Sequence, residues 1–307
     1  MPKVSIIIPV YYNEESLPLL FNELSAIESK LNGQGMEMEL IFVDDGSGDQ
    51  SLIELLKIKK QRPATKVIKL TRNFGSLHAC KTGLGFVTGD CFLLLAADLQ
   101  DPPEIIPQMV EKWQAGSKYV VAARSGRDDP WGTKIFSFLY YRLIKKLVVP
   151  GYPDGGYDTA LMDKQLLPHL QKSSKNSFIP LLAYWLGFEP TVMYYKRRKR
   201  IHGKSRWNFS KKLIAAIDTI FGFSFAPIRF LSVLGLFVSL ASLGYATWIT
   251  IAALLGNIDV RGFATVVSLI AFLQGIVIFM LGVIGEYIWR ILNEVNHRPD
   301  AVIDEVY

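Results

Sequence analysis

The segment Leu93-Leu94-Leu95-Ala96-Ala97-Asp98-Leu99-Gln100-Asp101-Pro102-Pro103-Glu104 decides how this chain is read. An apolar run leads directly into an acid, an amide and a helix-start signal. A buried strand ending in this way places Asp98 and Gln100 at its carboxyl end, where α/β sheets hold their ligands. Asp101 is then expected to cap a helix, with Pro102 and Pro103 in its first turn and Glu104 completing a capping box. Taken alone, the segment fits an ordinary strand, loop and helix equally well.

Working outward, Val4 to Val10, Leu40 to Val43, Lys66 to Leu70, Cys91 to Ala96 and Tyr119 to Ala122 read as short apolar strands. Helical patterns lie between them, at Leu17 to Leu31, Ser51 to Lys60, Gly75 to Phe86 and Glu104 to Trp113. Strands alternating with helices predict a mainly parallel sheet covered on both faces. The first strand runs into Tyr11-Tyr12-Asn13-Glu14 and the second into Asp44-Asp45-Gly46-Ser47-Gly48. Acids at the ends of neighbouring parallel strands converge on one crevice, and Asp44 and Asp45 have the chemistry to accept hydrogen bonds from a ribose or base. Neither segment matches a Walker A loop or a G-x-G-x-x-G fingerprint, which argues against a dinucleotide cofactor.

Half of the 307 residues are apolar. Two long uncharged stretches, Phe230 to Ile258 and Gly262 to Gly285, are separated only by Asp259-Val260-Arg261. Each exceeds the roughly 20 residues that cross the hydrocarbon as a helix. They are expected to form a transmembrane hairpin, over about 230–256 and 262–286 within 229–290. Nine Lys and Arg fall between Lys196 and Lys212, whereas Arg261 is the only one in the turn between the spans. By the positive-inside rule both flanks are cytoplasmic. The apolar run at Val4 to Val10 is too short for a signal core, so the N-terminal region is expected to stay cytosolic. Residues 131–149 and 206–228 mix apolar bulk with basic residues and are candidates for interfacial helices. For 131–149, packing on the sheet fits as well. Residues 291–307 are expected to form a cytoplasmic tail. The net charge of +6 gathers beside the spans rather than along a nucleic-acid-binding face, so anionic headgroups and phosphate-bearing ligands are the expected partners. Cys80 and Cys91, in a region expected to be cytosolic, point to neither a disulfide framework nor a zinc site.

Five motifs together give the chain a family likeness. They are Ile6-Ile7-Ile8-Pro9 with Tyr12-Asn13-Glu14, Val43-Asp44-Asp45-Gly46-Ser47, Arg72-Asn73-Phe74-Gly75, Asp98-Leu99-Gln100-Asp101-Pro102-Pro103-Glu104, and Gly203-Lys204-Ser205-Arg206-Trp207. With the two C-terminal spans, they resemble family 2 glycosyltransferases of the GT-A fold. The closer likeness is to the membrane branch that makes polyprenyl-phosphate sugars, which includes dolichyl-phosphate mannose synthase and bacterial undecaprenyl-phosphate glucosyltransferases. The resemblance implies a GT-A domain over 1–205, a Rossmann-like α/β domain in the cytosol, followed by interfacial helices and the hairpin in a bacterial inner membrane.

The same resemblance implies roles for particular residues. Pro9, Tyr12, Glu14, Asp44 and Asp45 would hold the donor nucleoside. Asp98 and Gln100 would serve Mg²⁺ or Mn²⁺ and the donor diphosphate, a donor set suited to a cation that takes few carboxylates plus phosphate oxygens. Arg124 and Arg127 would lie near the acceptor phosphate, which guanidinium binds in bidentate fashion; without the likeness they read as solvated surface arginines. Arg200 and Lys204 would reach the leaving diphosphate, while the rest of the basic run attracts anionic lipid at about 1 kcal/mol per residue. Asp158 would stand near the acceptor as base or orienting group. A phosphate monoester, with its second pKa about 6, needs little deprotonation. Many relatives carry Asp where this chain has Ala96. One acidic ligand is thus missing, leaving Asp45, water or the nucleotide's own phosphates to complete the shell.

The implied reaction is inverting, metal-dependent transfer of one hexose from UDP-glucose to polyprenyl phosphate. Other donors, mannosyl among them, and a non-catalytic sugar-nucleotide-binding scaffold are the alternatives. A processive polysaccharide synthase is disfavoured, because Gly203 stands where Gln-x-x-Arg-Trp requires Gln. Gly235, Gly244, Gly275 and Gly282 permit close helix contact, which makes a homo-oligomer the expected assembly.

Overall fold

The computed structural model describes residues 1–125, 140–153, 156–174, 177–198, 209–255, 262–296 and 298–307. The chain divides into two units, Met1–Thr219 with Pro299–Tyr307, and Ile220–Arg298.

The first unit is built on β1 (Lys3–Val10), β2 (Glu37–Asp44), β3 (Lys66–Leu70), β4 (Cys91–Leu94), β5 (Tyr119–Arg124), β6 (Tyr157–Asp163), β7 (Thr191–Tyr195) and β8 (Ile303–Val306). They form one sheet in the order β7-β5-β6-β4-β1-β2-β3-β8. Pairings β1–β2, β1–β4, β2–β3 and β5–β7 are parallel, whereas β6 runs antiparallel to both β4 and β5, and β8 antiparallel to β3. The expected mainly parallel α/β architecture is therefore present. Between the strands lie α1 (Leu17–Gly33), α2 (Ser51–Gln61), α3 (Ser76–Leu84), α4 (Ile106–Gln114), the described part of α5 (residues 140–147), α6 (Leu167–Gln171) and α7 (Ile179–Trp185).

Alternation along β1 shows why both faces are covered. Val4, Ile6, Ile8 and Val10 join the core formed with Leu17, Leu20 and Leu24 of α1 and with Met109 of α4. Ile7 points the other way, against α3, where a Cβ on Gly83 would lie 2.4 Å from its Cγ2. A glycine inside a helix costs about 1 kcal/mol against alanine, and here it lets α3 lie flat on the sheet. Away from the strand ends that carry the expected site, Glu39 accepts hydrogen bonds from Ser5 Oγ (2.5 Å), Lys66 Nζ (2.8 Å) and both the amide (3.0 Å) and hydroxyl (2.8 Å) of Thr88. It thereby ties together β1, β2, β3 and the approach to β4. Both cysteines are buried thiols, and burial pushes Cys80 up to about 12.

The topology fixes a common edge. Because β6 is antiparallel to both of its neighbours, β5 and β7 run the same way as β1, β2, β3 and β4, and the carboxyl ends of these six strands share one side of the sheet. The chain reverses its winding between β1 and β4, the switch point at which open α/β sheets bind ligands. Pro9 sits on that side of β1. Leu95 N donates to Ile7 O at 2.9 Å as the last bond toward β4, so the amide that Pro9 lacks falls one step beyond the ladder.

The second unit contains α9 (Ala226–Leu254) and α10 (Phe263–Val295), preceded by α8 (Phe209–Phe223), which straddles the boundary. Two stretches, Ala226–Ile249 and Phe272–Val295, are long and apolar enough to cross a membrane, and almost none of their length is buried. α10 covers most of the expected 262–286 and runs on through Tyr287, Ile288, Trp289, Ile291 and Leu292. Charge there is confined to the Glu286–Arg290 pair at 2.9 Å and Glu294. Phe221 packs on Tyr287 with ring centroids 5.2 Å apart. Of the four glycines proposed for helix contact, Gly235 lies against Met280 of α10, while Gly244, Gly275 and Gly282 face open space.

Candidate active site

All the described candidate residues fall on the shared strand-end edge. Beyond β1, Tyr12 adopts φ 56°, a left-handed conformation that non-glycine residues seldom hold without surrounding support. The support is visible: Tyr12 N donates to Ser47 Oγ at 3.1 Å, and its ring meets Tyr11 edge-on at 4.7 Å. Its hydroxyl passes directly over Gly48, where a Cβ would lie 2.6 Å away. Glu14 Oε2 accepts from Gln50 N at 2.8 Å, at the amino end of α2, so this carboxylate also locks the β1 loop to the β2 loop.

Asp44 and Asp45 are both buried, at 1% and 2% exposure. Asp44 Oδ1 accepts from Ser47 N at 3.3 Å and shapes the turn. Asp45 reaches across to the loop after β3, accepting from Phe74 N at 2.7 Å through Oδ1 and from Gly75 N at 2.9 Å through Oδ2. Burial raises both carboxyls above the ordinary Asp value, against the pull of these hydrogen bonds. Both Asp45 oxygens thus already accept a backbone amide, which leaves each one further lone pair for a ligand. Through these bonds Asp45 fixes the Arg72–Gly75 loop against the end of β2.

The deciding segment is built as a tight turn. Asp98 Oδ1 accepts from Gln100 N at 3.1 Å, and between them Leu99 takes φ 58° with its side chain buried in the core. The buried leucine anchors the turn while Asp98 and Gln100 stay half-buried on the edge, with Ala96 half-buried two residues earlier. The expected capping box is absent. The first turn starts at Pro103 with Pro102 before it, without a side-chain cap. Asp101 is turned inward, where Thr159 Oγ1 (3.3 Å) and the Tyr195 hydroxyl donate to it and Arg197 Nε lies 3.5 Å away. Glu104 pairs with Arg198. Sequence reasoning could not find this arrangement, because Thr159 and Tyr195 are 58 and 94 residues away.

On the other side of the switch point, Arg124 ends β5 opposite Tyr195. Its charge lies beside the Tyr195 and Tyr152 hydroxyls, both of which are raised, chiefly by burial. The basic run begins at this edge: Arg198 N donates to Gln100 O at 2.9 Å, and Arg198 Nη1 bonds Glu23 at 2.9 Å. Asp158 lies in β6 beside Thr159, and its side chain is outside the described residues, as are Arg127, Arg200 and Lys204. The carbonyl and carboxylate oxygens of Asp98 and Gln100 suit a hard divalent cation that completes its shell with phosphate oxygens. Among the described residues no cluster of three metal-ligating acids, histidines or cysteines occurs.

Residues 5–170 match glycosyl transferase family 2, and residues 226–291 match the GtrB C-terminal hairpin. The chain belongs to glycosyl transferase family 2. It is 33% identical over 305 residues to the bactoprenol glucosyl transferase of Shigella phage SfV, spanning 98% of both chains. It is 32% identical over 308 residues to the prophage bactoprenol glucosyl transferase homolog of Escherichia coli K12, spanning 99% of both. Glucosyl-3-phosphoglycerate synthase from Mycobacterium tuberculosis, solved with Mn²⁺, UDP and phosphoglyceric acid, superposes with a TM-score of 0.51 at 17% identity, over 71% of this chain and 76% of that one. This likeness shows the GT-A fold. The protein is thus a GT-A glycosyltransferase carrying a C-terminal helical hairpin, and the strand-end edge is its candidate active site.

Proposed function

We propose that this transferase moves a single hexose from UDP-glucose to polyprenyl phosphate, of the undecaprenyl type, at the cytoplasmic face of a bacterial membrane, with inversion at the anomeric carbon. One observation carries the reading. The edge that gathers Tyr12, Glu14, Asp44, Asp98, Gln100 and Arg124 is also the edge from which the chain departs after β7 toward the hairpin, and at which it returns to pair Ile303 with Leu70 in β8. Along the chain, that edge leads through residues 196–208 into α8 and then α9, and α10 leads back to it through residues 296–302. An acceptor whose phosphate is tethered to membrane lipid suits such a site. The relatives named as bactoprenol glucosyl transferases support glucose and a polyprenyl acceptor.

In this reading Pro9, Tyr12, Glu14 and Asp44 shape the nucleoside subsite, and Asp45 sets its floor through the Arg72–Gly75 loop. Asp98 and Gln100 would hold Mg²⁺ or Mn²⁺ together with the donor's phosphate oxygens; when bound, the ion neutralises charge on the departing diphosphate. Arg200 and Lys204 stabilise the same leaving group, and Arg124 and Arg127 bind the acceptor phosphate as guanidinium forks. The acceptor oxygen is already anionic near neutral pH, so Asp158 orients rather than deprotonates. Catalysis then rests on holding phosphate and anomeric carbon in line. The hairpin anchors the chain in the bilayer, and its open glycine positions support assembly with further copies.

The test is a panel of labelled UDP- and GDP-sugars supplied with undecaprenyl phosphate and Mg²⁺ to membranes containing the protein. Acid-labile lipid label from UDP-glucose supports the proposal. Label from a mannosyl donor alone would move the donor assignment, and none from any donor would overturn the reaction.

A further inference from the structure

Asp101 is 1% exposed, carries a carboxylate, and has no part in the scheme above. Its partners come from three places in the chain. Thr159 Oγ1 of β6 donates to Oδ2 at 3.3 Å, the Tyr195 hydroxyl at the end of β7 donates to Oδ1, and Arg197 Nε of the basic run stands 3.5 Å from Oδ1. Two further ties fasten the same stretch to the same loop: Arg198 N to Gln100 O at 2.9 Å, and the Arg198 guanidinium to Glu104. Residues 195–198 are thus stitched to residues 100–104, immediately after the Asp98–Gln100 turn. Burying a carboxylate is costly unless it is paired and hydrogen-bonded. A carboxylate kept here at that cost, at the root of a run of nine basic residues over Lys196–Lys212, has a positional consequence.

We propose that Asp101, through Thr159, the Tyr195 hydroxyl and Arg197, is a positioning residue that ties residues 195–198 to the loop carrying Asp98 and Gln100 and so holds the diphosphate subsite in place. The inference rests on the donor reading given above and adds the residue that orients the turn presenting Asp98 and Gln100. Neither Asp101 nor Tyr195 touches the ligand. Their removal leaves the nucleoside subsite intact and loosens only the grip on the phosphates.

Two full-length variants test this, Asp101→Asn and Tyr195→Phe; the second removes a single hydroxyl and keeps the ring packing. Binding of UDP and of uridine to the purified protein is measured with Mg²⁺ present, alongside the donor KM and kcat. The expected result is about tenfold weaker UDP binding in each variant, as for loss of one buried charge-assisted hydrogen bond. Uridine affinity is unchanged, the donor KM rises by a similar factor, and the double variant is little worse than either single one. Equal weakening of UDP and uridine, or wild-type UDP affinity in a folded Tyr195→Phe protein, would overturn the inference. Failure of the wild-type chain to turn over any nucleotide sugar would instead overturn the donor reading.

Discussion

Gly46 and Arg72 meet backbone to backbone: a Cβ on Gly46 would lie 2.6 Å from the carbonyl carbon of Arg72, and Gly46 itself holds φ +66°. The two loops that frame the nucleoside subsite are therefore pressed together at a point where only glycine fits. Gly46→Ala should destabilise the domain by about 2 kcal/mol or more, through strain at positive φ and a backbone clash that no side-chain rotation relieves. A thermal melt together with UDP titration checks this. Both the melting temperature and UDP affinity should fall, and an unchanged melt would mean that the loops are not in contact.

Glu39 supplies a pH signature remote from the chemistry. Burial alone favours its neutral form, but the Lys66 ammonium and the donors from Ser5 and Thr88 outweigh burial and hold the carboxyl below its ordinary value of 4.5. A depressed carboxyl contributes stability that is present above the unfolded value and is lost as pH falls through the folded one. Glu39→Gln should therefore be clearly less stable than wild type at pH 7, by about 1–3 kcal/mol for a disrupted buried network. The gap should narrow as pH drops below about 4.5. Denaturant melts at a series of pH values measure it, and a gap that widens in acid would contradict the assignment.

Much of this was legible in the sequence, and the parts that were not share a cause. The first five strands and α1 to α4 announce themselves by apolar runs and helical periodicity, because their environment is set by burial on the sheet. β8 does not: Ile303-Asp304-Glu305-Val306 is exposed along its length and half acidic, and it is a strand because β3 offers it an edge and Lys69 holds Asp304 at 2.6 Å. Residues 291–307, read as a tail, thus include a strand of the main sheet. β6 and β7 were likewise hidden, being defined by pairing with β4 and β5 rather than by pattern. At the site, Asp98 and Gln100 could be placed from the strand that leads to them. The inward turn of Asp101 and the engagement of Asp45 by Phe74 and Gly75 depend on contacts between distant segments, which no local spacing encodes.

Ala96 makes a separate prediction about metal. Ala96→Asp sets a second half-buried carboxylate two residues before Asp98. Like charges so placed repel in the empty site and attract a cation. Without metal the variant should melt at a lower temperature than wild type. Mn²⁺ alone, with no nucleotide, should restore the melt and bind about tenfold tighter or more, since affinity follows ligand charge count. Calorimetric Mn²⁺ titration decides it, and equal affinity in both proteins would show that residue 96 does not face the ion.

The central claim, that Asp98 at the end of β4 serves sugar transfer to a lipid phosphate, is tested most directly by one comparison. Wild-type and Asp98→Ala proteins, purified and shown to melt alike, are given radiolabelled UDP-glucose, Mg²⁺ and undecaprenyl phosphate, and the label entering an acid-labile lipid is counted. The account predicts steady transfer by wild type and a loss of about a hundredfold or more in the variant, as when a principal charge-stabilising contact is removed. Equal transfer by the two proteins would contradict it.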